Sequence, residues 1–160
     1  MLPHEWRFHQ GIYDPVRDRL VVFGGHQTTC VGHHCQISTY FREVWAMNLG
    51  GTPTWTQVAV QGDPPPPLGR ASVIYDPVRD RMIIFGGSAL ISPYGSPGRA
   101  WALTLSGTPT WSVLAEPASN VLQRDGQSAV YDALRDRMVI HETAVWGPGP
   151  ASPGMVCGRS

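Results

Sequence analysis

The string YDPVRDR, followed by four apolar residues and a diglycine, occurs twice, over residues 13–25 and 75–87, and an altered third copy starts at Tyr131. Two tryptophans travel with it. Trp45 and Trp55 follow the first diglycine within VWAMNLGGTPTWTQV, and Trp101 and Trp111 follow the second within AWALTLSGTPTWSVL. Both tryptophans advance by 56 positions (101 − 45 and 111 − 55), whereas the first two tyrosines stand 62 apart (75 − 13). The extra six residues lie in the loop between the first diglycine and Trp45. A period of this size, with constant strands and one variable loop, is the mark of units that bury their apolar faces only by stacking on neighbours.

Each unit reads as β-structure. In the second, SVIY (72–75) and RMIIF (81–85) are β-branched or aromatic runs separated by Asp76-Pro77-Val78-Arg79-Asp80. Asp at the head of the turn accepts bonds from the following amides and Pro presets φ, which predicts a type I turn and a hairpin. Arg79, Asp80 and Arg81 are then expected at an exposed tip, pairing with one another; an anion site at Arg17 and Arg19, or at Arg79 and Arg81, is the alternative. The runs Leu20-Val21-Val22-Phe23 and Met82-Ile83-Ile84-Phe85 do not alternate with polar residues, so both faces of the strand should be covered, as in sheets stacked face to face. The diglycines end these strands where positive φ or a close backbone approach is required. A third strand follows through Val44 to Leu49 and Ala100 to Leu105, and a fourth begins at Trp55 and Trp111, whose rings are expected between neighbouring sheets.

The 18 Gly and 15 Pro fall between apolar runs as turn punctuation. The chain of 160 residues has room for fewer than three whole units and a formal charge of zero, with no clustered basic face. A phosphate-tracking surface is not indicated, so nucleic acid is not an expected partner. No apolar run approaches the roughly 20 residues that span a bilayer, and no signal peptide is read at the N-terminus. Neither a membrane partner nor a compartment is assigned.

A four-stranded unit of this size, with a Tyr before its second strand, a diglycine after it and spaced tryptophans beyond, resembles the kelch repeat of β-propellers, as in the central domain of galactose-oxidase-like proteins. The resemblance covers residues 7–58 and 70–114 well and 124–146 in degenerate form, within a repeat region of 1–146 followed by a Pro/Gly-rich tail, 147–160, read as coil. It implies an all-β fold: part of a propeller of four-stranded antiparallel blades around a channel, with interaction surfaces on the inter-strand loops. Too few blades are present to close a ring, and the third unit has His141-Glu142-Thr143 in place of Phe-Gly-Gly. Apolar strands left open to water favour self-association, so completion by oligomerisation is expected, with a fragment of a longer propeller as the alternative.

Some propellers of this broad resemblance are copper oxidases with Tyr and His ligands. Here Tyr13, Tyr75 and Tyr131 recur at one repeat position, which makes them framework residues, and no nucleophile triad, phosphate loop or dinucleotide fingerprint is present. The expectation is therefore a non-catalytic binding or scaffold module without cofactor, presenting residues 25–41 and 88–99 to a protein or glycan. The alternative is a piece of an enzyme whose active site lies elsewhere. Tyr40, Phe41 and Arg42, with Tyr94 and Arg99, combine aromatics and Arg as interfaces do. The long loop of the first unit also carries Cys30, His33, His34 and Cys35. These residue types can bind zinc, although their spacing is not a strong zinc pattern. A Cys30–Cys35 disulfide, implying an oxidising context, and an unremarkable exposed loop are equally open; Cys157 makes the cysteine count odd.

Overall fold

The computed structural model describes residues 7–31, 33–89, 99–115, 126–141 and 156–157, with backbone alone at strand positions 31, 34, 35, 37, 38, 115, 156 and 157. All regular elements among those residues are β-strands. The first unit contributes β1 (Gln10–Asp14), β2 (Arg19–Phe23), a hairpin of β3 (His26–Val31) and β4 (His34–Tyr40), then β5 (Val44–Asn48) and β6 (Thr54–Gln57). The second contributes β7 (Gln61–Gly62), β8 (Ser72–Asp76), β9 (Arg81–Phe85), β10 (Ala100–Thr104) and β11 (Thr110–Ala115). The third contributes β12 (Ser128–Asp132), β13 (Arg137–His141) and β14 (Val156–Cys157).

The sheets differ in size. The first is four-stranded and antiparallel in the order β1-β2-β5-β6, as the repeat predicts. The second has five strands, β7-β11-β10-β9-β8, because β7 joins its outer edge parallel to β11. The third shows three, β12-β13-β14. Two expectations are corrected. The tail is not all coil, since Val156 and Cys157 pair with Val139 and Met138. Nor is the variable segment of the first unit a loop: β3 and β4 form a separate two-stranded sheet, because the β-branched run Thr28-Thr29 finds a partner across the turn.

The sheets stack along the repeat, β1 lying beside β8 and β8 beside β12. Between the first and second sheets, one face of the first (Ile12, Val21, Phe23) meets the opposite face of the second (Met82, Ile84, Trp111), all buried. Between the second and third, Ile74, Ile83 and Phe85 meet Met138 and Ile140 in the same manner. β9 is therefore covered on both sides, the physical cause of its unbroken apolar run. Trp111 does sit between sheets, edge-on to Phe23 of the preceding unit with ring centroids 5.3 Å apart.

The diglycine is required by geometry. Gly24 and Gly25 have φ of 65° and 98°. A Cβ on Gly24 would run into the Leu68 carbonyl oxygen, and that same carbonyl accepts from the Gly25 amide at 2.7 Å. The chain entering the second unit thus packs directly on the end of β2.

Candidate functional site

The two ends of the strands carry different chemistry. At one end are the YDPVRDR turns. Asp76, at 1% exposure, accepts at Oδ1 from the Val78 and Arg79 amides at 3.1 and 3.2 Å, the expected turn. Its Oδ2 accepts from Arg79 Nη1 at 3.2 Å and Arg81 Nε at 2.8 Å. Asp14 repeats this with the Val16 and Arg17 amides and with Arg17 and Arg19. Each buried carboxylate is thus fully met by donors, which offsets the cost of removing it from water.

The arginine continues into the next unit. Arg17 donates from Nη1 and Nη2 to the Asp80 carboxylate at 3.2 and 2.6 Å, and Arg79 donates to Asp136 at 2.9 and 2.7 Å. The receiving aspartate also accepts from a tyrosine of its own unit, Tyr75 to Asp80 at 3.0 Å and Tyr131 to Asp136 at 2.8 Å. Burial and then the Asp80 bond push the Tyr75 hydroxyl up to about 12. The Asp136 bond, then burial, push Tyr131 up to about 12. Both remain protonated donors. The Arg17 fork holds Asp80 below the usual carboxylate range. The expectation that Arg79, Asp80 and Arg81 pair among themselves is therefore corrected. Arg81 turns back to Asp76, Arg79 reaches forward to Asp136, and Asp80, whose backbone is left-handed with φ of 46°, receives Arg17. The signal was present in the sequence as D-x-x-R-D-R in three copies, but one unit alone does not reveal that its fifth member serves a neighbour.

At the other end stands the β3–β4 hairpin. An isolated two-stranded hairpin is marginal in water; this one is fixed at its base. Arg7 and His26 exchange backbone bonds at 2.9 and 2.8 Å. The buried His26 ring lies 5.0 Å from Phe8 and 5.2 Å from Tyr40, and the Tyr40 hydroxyl is 3.4 Å from Ser88 Oγ of the second unit. Arg70 places its guanidinium 4.4 Å from the Phe8 ring centroid, a cation–π contact. Burial, followed by the charges of Arg70 and Arg7, lowers the His26 pKa, so this imidazole is neutral at neutral pH. Further out, Cys30 is disulfide-bonded, and Cys35 stands directly opposite it in register.

Phe8 and Arg70 share a further property: both have φ of 58°. The same place in the third unit is Gly126, with φ of 70°. An L-residue in this region costs about 1 kcal/mol, yet the first two units hold a phenylalanine and an arginine there, and Phe8 is 48% exposed.

Of the residues singled out from sequence, Tyr40 forms the hairpin base, Phe41 ties its backbone to Gly25 and Leu68, and exposed Arg42 follows them. Arg99 heads β10 with its guanidinium 5.8 Å from the Trp101 ring. Tyr94 and most of the 88–99 segment lie outside the described residues. No group of three or more His, Cys, Asp or Glu is gathered for a metal among the described residues; the side chains of His34 and Cys35 are outside them, and Cys30 is engaged as a disulfide. Phe8 and Arg70 escaped the sequence reading, since neither sits in a recognisable motif. No helix among the described residues is long and apolar enough to cross a membrane. Compared with known proteins, the chain matches no protein-family model and no curated protein sequence.

Proposed function

We propose that the three units are blades of a kelch-type propeller and that the chain is a non-catalytic binding module. Its partner-facing end carries Phe8, Arg70 and the β3–β4 hairpin, and the partner is a protein. The observation that carries this reading is the exposed Phe8 ring, held under Arg70 in a backbone conformation that glycine satisfies better. Strain of this kind persists where the surroundings over-determine it, and it concentrates at binding sites. An exposed aromatic with a stacked Arg beside a braced hairpin is also the composition of interface anchors.

Glycine at position 8 offers a clean test. Phe8→Gly removes the ring and its contacts with His26 and Arg70 while relieving a left-handed strain of about 1 kcal/mol, so the two effects oppose each other and the unfolding midpoint should fall only modestly. Capture of a protein partner by the intact chain from an extract of its source should fall at least tenfold with Phe8→Gly and with Arg70→Gly, while Leu134→Ala, at the opposite end, leaves it unchanged. Capture unaffected by both glycine variants, or glycan-array binding that both abolish, would reject a protein partner at this end.

The hairpin tip is read in the same way. Residues opposite each other on antiparallel strands have Cα separations of roughly 4.5–5.5 Å, inside the range a disulfide bridges, so Cys35 is taken as the partner of Cys30. Peptide mapping without reductant should recover Cys30 linked to Cys35 and Cys157 as a free thiol. A Cys30–Cys157 link would sink the assignment.

A further inference from the structure

The two sheet junctions among the described residues are built from the same parts. The Arg of one turn forks onto the turn Asp of the next unit (Arg17 to Asp80, Arg79 to Asp136), above an apolar seam between opposite sheet faces. The series leaves one half-junction at each end. At the third unit, the Arg135 guanidinium pairs, among the described residues, with its own Asp132 alone, at 3.2 Å, and its side chain is 62% exposed, against 27% for Arg17 and 35% for Arg79. At the first unit, Asp18 occupies the place of Asp80 and Asp136, with the same left-handed backbone (φ 46°, 46° and 49°). Tyr13 already donates to it at 2.9 Å. Its carboxylate is exposed, and among the described residues no arginine is paired with it.

The faces beneath these half-junctions are open in the matching sense. On the third unit, Val130 holds the place of buried Ile74 and is 61% exposed. On the first, Tyr13 is 53% exposed, whereas Tyr75 is half-buried against the first sheet. One end therefore presents an arginine over one type of sheet face, and the other presents the tyrosine-backed aspartate over the complementary type.

We infer that a second copy of this chain docks head to tail on these faces, Arg135 of each copy forking onto Asp18 of the other, so that two copies close a ring of six units. A head-to-tail contact yields a closed ring when its rotation closes and a filament when it does not, and six lies within the four to eight blades of known propellers. The count of six rests on the blade reading proposed above, whereas the pairing of the two ends does not. An exposed ion pair alone contributes little. The apolar faces drive association, and the charges fix which face meets which.

The two roles separate by charge reversal. In sedimentation or light scattering at low micromolar concentration, the 17.5 kDa chain should run at twice its mass. Asp18→Arg and Arg135→Asp should each weaken association at least tenfold, since each places like charges at both junctions of its own ring. Mixed in equal amounts they should restore the two-chain species, now a heterodimer by native mass spectrometry, because both junctions are again matched. Circular dichroism monitors folding. Should Asp18→Arg not fold, Asp18→Asn, whose side chain tolerates left-handed φ, should still weaken association. A strictly monomeric parent, single variants that associate like the parent, or a mixture that does not restore the dimer would each overturn the inference. None of these results depends on Phe8 or on partner capture, so this inference and the proposed binding end can fail separately.

Discussion

The first and second units carry nearly the same sequence and bury it differently. Leu105 of the second is 3% exposed, and Leu49, its counterpart in the first, 39%. Met82, Trp101 and Trp111 are buried, but Leu20, Trp45 and Trp55 are only half-buried. On the opposite face the two units agree: Val21 and Phe23 are as buried as Ile83 and Phe85. The difference tracks neighbours, since among the described residues the second unit has a sheet on both sides and the first on one, although Val22 on that same face of the first is 3% exposed. A doubly apolar strand records the environment its sequence suits, and only the stacking decides which copies obtain it.

The largest way to test this is at the tryptophans. Trp111→Ala removes a ring seated on Phe23, and should cost about 3–5 kcal/mol, as for a fully buried aromatic. Trp55→Ala removes the equivalent ring from a half-covered face, and should cost roughly half as much, in proportion to the area withdrawn from water. Urea unfolding in dilute solution measures both. Equal costs there would mean that the open face is not open. If two copies associate, the two costs should instead converge as the concentration rises.

A smaller effect separates the preceding neighbour from the following one. Asp14 and Asp76 both belong to units followed by another and are 0% and 1% exposed. Asp132 belongs to the last described unit, and its side chain is 16% exposed. Asp14→Ala and Asp76→Ala should each cost about 2–3 kcal/mol, the range for hydrogen bonds to charged groups with partners left unpaired. Asp132→Ala should cost less, since Arg135 and Arg137 can turn to water. Here the first unit behaves as the second does, whereas at the tryptophans it does not. A large Asp132 effect would show that the turn itself, and not the following sheet, governs the burial.

Much of this was legible in the repeat. Asp-Pro after a β-branched run, the unbroken apolar strand, the diglycine and the spaced tryptophans placed β1, β2, β5 and their counterparts, because each is decided by local chemistry or by a period. What escaped depends on contacts between units or on weak local signals. The short β7 adds to the second sheet only through the Gln61 and Gly62 backbone. β14 arises from a tail whose composition says coil. The forward reach of Arg17 and Arg79 is invisible within one copy, and the hairpin of β3 and β4 lies in a segment without repeat, where no second copy exists for comparison. Phe8 and Arg70 were missed for another reason: their significance lies in a positive φ, which no side-chain pattern announces when glycine is not the residue that adopts it.

The smallest predicted difference falls where the units diverge most, at His26 and its counterpart Ser88. Ser88 has no titratable side chain. His26 is buried between Phe8 and Tyr40, with the charges of Arg70 and Arg7 nearby, and its pKa is lowered by burial first and by those charges second. Near pH 6 the unfolded chain, with an ordinary value of about 6.5, binds more protons at this site than the folded one. Stability therefore rises with pH through this window. It is fully present above about 6.5 and is lost as pH falls toward the lowered folded value. Asp80 is also held below its ordinary range, but its loss belongs to a more acidic window and does not overlap. Unfolding midpoints should decline between neutral pH and the mildly acidic range in the parent chain, and the decline should flatten in His26→Gln, which retains size and polarity without titrating. Because the hairpin base holds this ring, protection of the β3 and β4 amides from hydrogen exchange should fall over the same pH range before that of β8 and β9. Simultaneous loss in both regions would mean that His26 reports on the whole fold and that the hairpin is not a separately stabilised element.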